Sequence, residues 1–176
     1  MTRRFRTLAP YVSVSLALAA LIALTVSPLP LSAGEGGIAG GRFGAALLGA
    51  EETPPVATGA SGEFELTVVD ANTWLYTLSY RGFEGGDPLF AHIHIGAAGA
   101  AGPVVIFLCG GGGKPNCPAA GSVSGTITPA DVMALADLGV AAGDLNKVWN
   151  EVLAGNTYAN AHNPQNPGGH IRGQIR

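Results

Sequence analysis

The sequence contains few charged residues. Only 12% of its 176 residues are charged, and 9 basic and 12 acidic residues give a net charge of −3. A chain with this balance is neither a disordered polyelectrolyte nor a basic nucleic-acid-binding protein, so we expect no nucleic acid among its partners. Its 2 cysteines are too few for a disulfide-rich scaffold or a four-thiolate zinc site. A Ser-His-Asp order, a nucleotide-binding loop and paired catalytic carboxylates are also absent from the sequence, which therefore does not by itself indicate an enzyme.

Residues that form turns are abundant instead. The 27 glycines and 12 prolines are spread between short apolar segments, which indicates many turns that join short strands. Two short helices are predicted, one that begins at Thr128 and one with an apolar stripe that includes Trp149 and stops at Gly155. We therefore predict an all-β fold, an antiparallel Greek-key-like sandwich or barrel of about 7–8 strands with two short helical insertions. The predicted strands are residues 44–50, 63–70, 73–81, 89–95, 104–109, 122–127, 158–162 and 170–175.

The amino terminus has the layout of an export signal. Three arginines precede an apolar, uncharged segment at residues 12–26, and the small residue Ala33 offers a cleavage point. Residues 1–33 are therefore predicted to be a secretory signal peptide, and the alternative is an uncleaved anchor that enters the membrane through residues 12–26. A flexible linker is predicted at residues 34–42 and one domain at residues 43–176. In both cases we expect the domain to be extracytoplasmic, that is secreted, periplasmic or at the cell surface.

The two cysteines flank a short glycine-rich loop. Four consecutive glycines between Cys109 and Cys117 allow the chain to double back, and disulfides persist outside the cytoplasm. We predict a structural disulfide between Cys109 and Cys117 that contributes about 2–3 kcal/mol in the chain-entropy view. The alternative is a pair of free thiols that bind a metal ion.

All four histidines lie on predicted strands or at their ends. His92 and His94 alternate with apolar residues, so they share one face of their strand with Cα atoms about 6.5–7 Å apart. Two imidazoles at that spacing can bind a single metal ion. His162 and His170 lie opposite the apolar faces of the two carboxy-terminal strands. If these strands are neighbours in the sheet, the four histidines are candidate ligands for a copper, zinc or iron ion.

Other polar residues are predicted to support this candidate site. Arg172 and Gln174 share a strand face and are expected to hold neighbouring strands or a carboxylate such as Glu52. Glu52 can approach the histidines or end a strand at the surface, and Asn160 can support the site or satisfy backbone groups in a turn. The histidines themselves have an alternative interpretation as a solvated strand face or as hydrogen-bonded core residues. If they do bind a metal ion, its affinity should fall below about pH 6.5, because imidazole must be neutral to act as a ligand.

Several motifs resemble the CHRD domain, the domain repeated in chordin and found singly in secreted microbial proteins. They occur in the expected order over nearly the whole predicted domain. The motifs are LGAEETPPV at 48–56, GEF at 62–64, AHIHIG at 91–96, GPVV at 102–105, GNTYANAH at 155–162 and NPGGHIRGQI at 166–175. The resemblance implies an extracytoplasmic β-rich domain, and chordin itself is an antagonist that binds growth factors. An extracellular protein or a matrix component is therefore an expected partner.

The resemblance extends to most of the histidines. His92, His94 and His162 match the CHRD pattern, whereas His170 stands where the family usually has Glu or a similar polar residue. This comparison favours a site with three histidine ligands and an open position for water. It leaves His170 either as an additional ligand or as an exposed residue.

A looser resemblance is to copper–zinc superoxide dismutase, another secreted Greek-key β protein with a His-x-His strand. The sequence has no counterpart of the zinc loop that such an enzyme needs. We therefore expect a non-enzymatic, secreted or cell-surface CHRD binding module that holds a metal ion through its histidines. The alternative is a small copper-type redox metalloenzyme resembling superoxide dismutase.

Overall fold

The structure is a computed structural model that describes residues 40–176. It contains eight strands, all paired antiparallel, which form one sheet in the order β5-β4-β7-β8-β1-β2-β3-β6. The strands are β1 (Arg42–Leu48), β2 (Ser61–Asp70), β3 (Thr73–Arg81), β4 (Phe90–Ile95), β5 (Val104–Cys109), β6 (Gly121–Ile127), β7 (Thr157–His162) and β8 (Ile171–Gln174). The predicted all-β antiparallel fold is confirmed. The predicted signal peptide at 1–33, with its alternative anchor at 12–26, lies outside the described residues, as does most of the linker at 34–42.

The sheet curls into a nearly closed barrel. Strands β5 and β6, which end the strand order, lie against each other. Tyr76 on β3 donates a hydrogen bond of 2.6 Å from its hydroxyl to the carbonyl of Leu108 on β5 and so ties the two sides together. Closure leaves few unpaired strand edges, which removes the main route to edge-to-edge aggregation.

Alternation of side chains explains the first hairpin of the barrel. On β2, Phe64, Leu66 and Val68 are buried inside the barrel, whereas Glu63 and Glu65, which alternate with them, face solvent. Burial of each such side chain contributes about 1.5–3 kcal/mol, which favours this register over one shifted by a residue. The turn that follows is held by Asp70, whose side chain accepts a hydrogen bond of 2.8 Å from the backbone N–H of Asn72. The pattern of the sequence therefore specifies this part of the sheet.

One α-helix, α1 (Leu145–Leu153), lies between β6 and β7. Asp144 caps its first turn by accepting a hydrogen bond of 2.9 Å from the N–H of Lys147. Trp149 is half-buried and packs edge-on against Phe43 and Trp74 of the core. Leu153, by contrast, is 58% exposed, because the helix ends there before another turn can fold over it. The sequence pattern places Leu153 in one apolar stripe with Leu145, Val148, Trp149 and Val152, and this prediction is wrong for Leu153.

The helix predicted from Thr128 is only a 3₁₀ turn, Pro129–Asp131. A capping box is present, with the backbone N–H of Thr128 donating to the Asp131 carboxylate at 2.7 Å. The chain then becomes extended again at Val132, which is buried in the core. A second 3₁₀ turn, Ala136–Leu138, follows before α1.

Two local features affect the region around the site. β1 begins two residues before its predicted start and ends at Leu48, so the turn Gly49–Glu51 places Glu52 beside the sheet. Cys109 and Cys117 form a disulfide at the end of β5, with a Cα–Cα distance of 5.0 Å. In the part of the chain that the structure describes, no helix is long and apolar enough to cross a membrane.

Candidate metal centre

Three neighbouring strands, β4, β7 and β8, carry the candidate site on their outer face. Their inner face packs into the barrel core through alanines and isoleucines, so the alternate residues point outward. The register aligns His92 with Asn160 and Asn160 with Arg172, and it aligns Phe90 with His162. Except for Phe90, these outward side chains are nevertheless buried, because the loops at 96–103 and 163–170 fold over them.

His92, His94 and His162 converge under these loops. One nitrogen of each ring lies within 4.8 Å of the corresponding nitrogens of the other two, and each residue is only 7% exposed. Nδ1 of His92 and Nε2 of His162 are 3.1 Å apart. Phe107 packs edge-on against the His92 ring with a centroid distance of 4.5 Å. Phe90 stacks on the other side at 6.0 Å and is itself 42% exposed. The site is thus a small polar group of imidazoles within an apolar rim.

Backbone carbonyls fix the tautomers of two of the rings. Nδ1 of His94 donates to the Gly102 carbonyl at 2.8 Å, and Nδ1 of His162 donates to the Pro167 carbonyl at 3.0 Å. A carbonyl can only accept, so each neutral ring carries its proton on Nδ1 and a lone pair on Nε2. Nε2 of His94 is buried and has no hydrogen-bond partner among the described residues. A ligating histidine usually anchors its second nitrogen in this way.

The environment keeps these imidazoles neutral. Burial, together with the neighbouring His162 and His94, lowers the pKa of His92 to about 3. Burial lowers the pKa of His94 to about 4, although its bond to the Gly102 carbonyl opposes the shift. Burial also lowers the pKa of His162. At neutral pH all three rings therefore offer lone pairs, the form that a metal ion requires.

A stack of three side chains holds His94. Its ring lies parallel to Tyr158 on β7, with a centroid distance of 4.6 Å and an interplanar angle of 7°. The guanidinium carbon of Arg172 on β8 lies 3.4 Å from the centre of the Tyr158 ring. Because β7 lies between β4 and β8, His94 and Arg172 contact opposite faces of the tyrosine. This geometry combines aromatic stacking with a cation–π contact.

Arg172 and Gln174 tie the covering loops to the sheet. Arg172 donates hydrogen bonds to the carbonyls of Ala97 and Ala100 at 3.2 and 2.9 Å. Gln174 donates to the carbonyls of Gly96 and Gly155 at 3.0 and 2.7 Å. Both side chains were predicted to hold neighbouring strands or a carboxylate such as Glu52. In the structure they donate hydrogen bonds to loop carbonyls, and the charge of Arg172 also acts on Glu52.

Asn160 and Glu52 lie beside the histidines. The amide end of Asn160 is 3.0 Å from Nε2 of His162, and the same side chain lies close enough to His94 and Glu52 to affect their pKa values. Glu52 is buried, and this burial raises its pKa to about 7 although the charge of Arg172 opposes the shift. The structure therefore places these residues next to the cluster.

His170 lies apart from the other three histidines. Its ring stacks on Phe83 at 4.6 Å, its Nε2 is 3.0 Å from the Thr58 hydroxyl, and its Nδ1 is 2.7 Å from the Asn166 amide. The exposed carboxylate of Glu84 is 3.5 Å from Nε2. His170 thus packs against the base of the loop that covers His162, and it does not join the group of potential ligands.

Sequence reasoning did not assign a role to Tyr158 or to the carbonyls of Gly102 and Pro167. Period-two alternation does put Tyr158 on the same face as Asn160 and His162, so this signal was available. The two carbonyls belong to irregular loops, whose paths no local pattern specifies.

Fold and site together define a small β-barrel domain with a buried cluster of three histidines. The model of the CHRD domain family matches residues 43–175, nearly all of the described chain. The chain therefore belongs to the CHRD domain family. Comparisons with curated proteins and with solved structures find no significant match.

Proposed function

We propose that this protein is an extracytoplasmic CHRD binding module that holds one transition-metal ion through His92, His94 and His162. The observation that carries the proposal is the orientation of the rings. His94 and His162 donate Nδ1–H to backbone carbonyls, so each keeps its lone pair on Nε2, and one nitrogen of each of the three rings lies within 4.8 Å of the other two. A cluster kept only for packing has no need of a buried, unpartnered nitrogen such as Nε2 of His94.

The donor set limits the class of ion. Imidazole nitrogens suit zinc, copper and iron, whereas calcium and magnesium prefer oxygen ligands. Nitrogens bound to zinc lie about 2.0–2.1 Å from the ion, so a tetrahedral site needs the three atoms about 3.4 Å apart. The His92 and His162 nitrogens are already 3.1 Å apart, and the His94 nitrogen, which lies within 4.8 Å of both, would have to move closer to bind the same ion. An ion between His92 and His162 requires the His92 tautomer with its proton on Nε2.

The extracytoplasmic location is supported by the family and by the covalent structure. The CHRD domain is of an extracellular type, and the Cys109–Cys117 disulfide suits an oxidising compartment. The predicted export signal at residues 1–33 agrees with this location. An extracellular protein or a matrix component is the partner that we propose for a binding module of this kind.

A second candidate function is a copper-type redox enzyme. The observation that favours it is that three histidines leave at least one coordination position for water or a small substrate. Metal-dependent turnover of superoxide that is abolished in His92→Ala would support this candidate. A tightly held ion without turnover would support the non-enzymatic module.

The direct test is the metal content of the full-length protein, purified without an affinity tag from its native compartment. We expect one copper, zinc or iron ion per chain, and we expect His94→Gln to weaken binding more than about 100-fold, since even loss of an outer-shell partner costs 10–100-fold. His170→Gln is the matched control, because it replaces a buried histidine outside the cluster. Equal metal content in both variants, or none in the wild type, would contradict the proposal.

A further inference from the structure

A single buried carboxyl group accompanies the three histidines. Glu52 is 7% exposed and is the only acidic residue among the buried side chains of residues 40–176. Its Oε1 atom is buried without a hydrogen-bond partner in the same part of the chain. A Cβ atom at Gly169 would lie 2.5 Å from both carboxyl oxygens, so only glycine lets the covering loop close over this group. Burial of a carboxyl oxygen without a hydrogen-bond partner is costly and points to a role at the site.

Glu52 is connected to the histidines through one side chain. Asn160 interacts with Glu52 on one side and with His162 and His94 on the other. Arg172 is the charged group that acts on Glu52, and the loop at 163–169 contains no charged residue. The carboxyl group therefore lies about one amide side chain from the position that a bound ion would occupy.

The charges of the site require a counter-ion. Three neutral imidazoles leave the +2 charge of a divalent ion uncompensated, and the buried Arg172 adds a further positive charge. Uncompensated charge is expensive in a buried site. We propose that Glu52 supplies the negative charge that balances a divalent ion held by His92, His94 and His162, so that loading the site expels a proton from Glu52. The proposal rests on the proposed function.

The acid–base properties of the site agree with this role. Burial raises the pKa of Glu52 to about 7, so at pH 6 its carboxyl group is mostly protonated in the metal-free protein. The pKa values of about 3 for His92 and about 4 for His94 mean that these imidazoles are already neutral at pH 6. Burial lowers the pKa of His162 in the same direction, so we expect Glu52 to be the main source of a proton released on metal binding at this pH.

The test is a calorimetric titration of the metal-free, full-length protein with Zn²⁺ at pH 6, repeated in buffers that differ in enthalpy of protonation. We expect the wild type to release about one proton per ion, because a group with a pKa near 7 is about nine-tenths protonated at that pH. Glu52→Gln should release none and bind Zn²⁺ at least about tenfold more weakly, since it cannot become charged. Glu51→Gln is the matched control, because Glu51 is the exposed neighbour, and it should behave as wild type.

A second measurement uses the wild type alone and so does not depend on how a variant folds. The ¹³C resonance of the Glu52 carboxyl group should show a titration near pH 7 in the metal-free protein. In the Zn²⁺ complex the same resonance should show that the carboxyl group stays ionised down to pH 5. Proton release that is unchanged in Glu52→Gln, or a Glu52 carboxyl group that still titrates near pH 7 in the complex, would overturn the proposal. A wild type that binds no Zn²⁺ would instead overturn the proposed function, and this inference with it.

Discussion

Acid should destabilise the metal-free protein because its buried histidines resist protonation, and His94 allows the effect to be measured at one residue. The pKa of His94 is about 4 in the folded protein and 6.5 in the unfolded chain. Below pH 6.5 the unfolded chain binds a proton that the folded protein does not. The contribution of His94 to stability is therefore complete above pH 6.5 and is lost as the pH falls toward 4.

The size of the effect follows from linkage. Each pH unit between the two pKa values changes the free energy of unfolding by about 1.36 kcal/mol. Lowering the pH from 6.5 to 5 should therefore remove about 2 kcal/mol through His94 alone, which is a large part of the 5–15 kcal/mol of a typical domain. Glu52 has the opposite sign, because its raised pKa makes the folded protein bind the extra proton.

Urea denaturation in the presence of a chelator, at pH values from 7.5 to 5, would measure this loss. His94→Gln preserves approximate size and a donor for the Gly102 carbonyl but does not titrate. Glu52 contributes equally to the free energy of unfolding of the wild type and of the variant, so its contribution cancels in the difference between them. We expect this difference in the free energy of unfolding to narrow by about 2 kcal/mol at acid pH. Parallel stability curves for the two proteins would refute the reasoning.

Two further predictions concern stability. Reduction of the Cys109–Cys117 disulfide should lower the free energy of unfolding by about 2.5 kcal/mol, because the unfolded chain gains the entropy of an open loop between two residues 8 positions apart. An unchanged urea midpoint after reduction would contradict this prediction. Tyr158→Leu should cost about 2–3 kcal/mol because it removes the contacts with His94 and Arg172. Tyr158→Phe keeps both contacts, loses only the two hydrogen bonds of the hydroxyl with the N–H and the carbonyl of Gly102, and should cost about 1 kcal/mol. Equal denaturation midpoints for the two Tyr158 variants would show that the stack contributes nothing.

Much of the fold could be predicted because strand periodicity is a local property. All eight strands are present within about two residues of their predicted bounds, since apolar alternation and turn residues specify each strand independently. The errors lie where tertiary packing competes with local preference. Thr128 begins only a 3₁₀ turn because Val132 is drawn into the core, and Leu153 is exposed because α1 ends there.

The candidate site was predictable in part for the same reason. Alternation placed His92, His94 and His162 on outward faces, and the CHRD motifs pointed to the same three residues. His170 has the same parity along its strand, but it lies just before β8 and turns toward Phe83. Alternation along the strand could not distinguish His170 from the other histidines, because it predicts which face of the sheet a side chain lies on and not where on that face it lies.

The sequence by itself determined which side chains point outward on each strand, because that choice depends only on neighbours two residues away. Only the tertiary structure decided that β4 lies beside β7, which brings His92 against His162 across 70 residues of chain. It also decided that loops bury the outer face and that Glu52 is buried there with one carboxyl oxygen that has no hydrogen-bond partner. Strand order and loop paths depend on the packing of the whole barrel, and no local pattern encodes them.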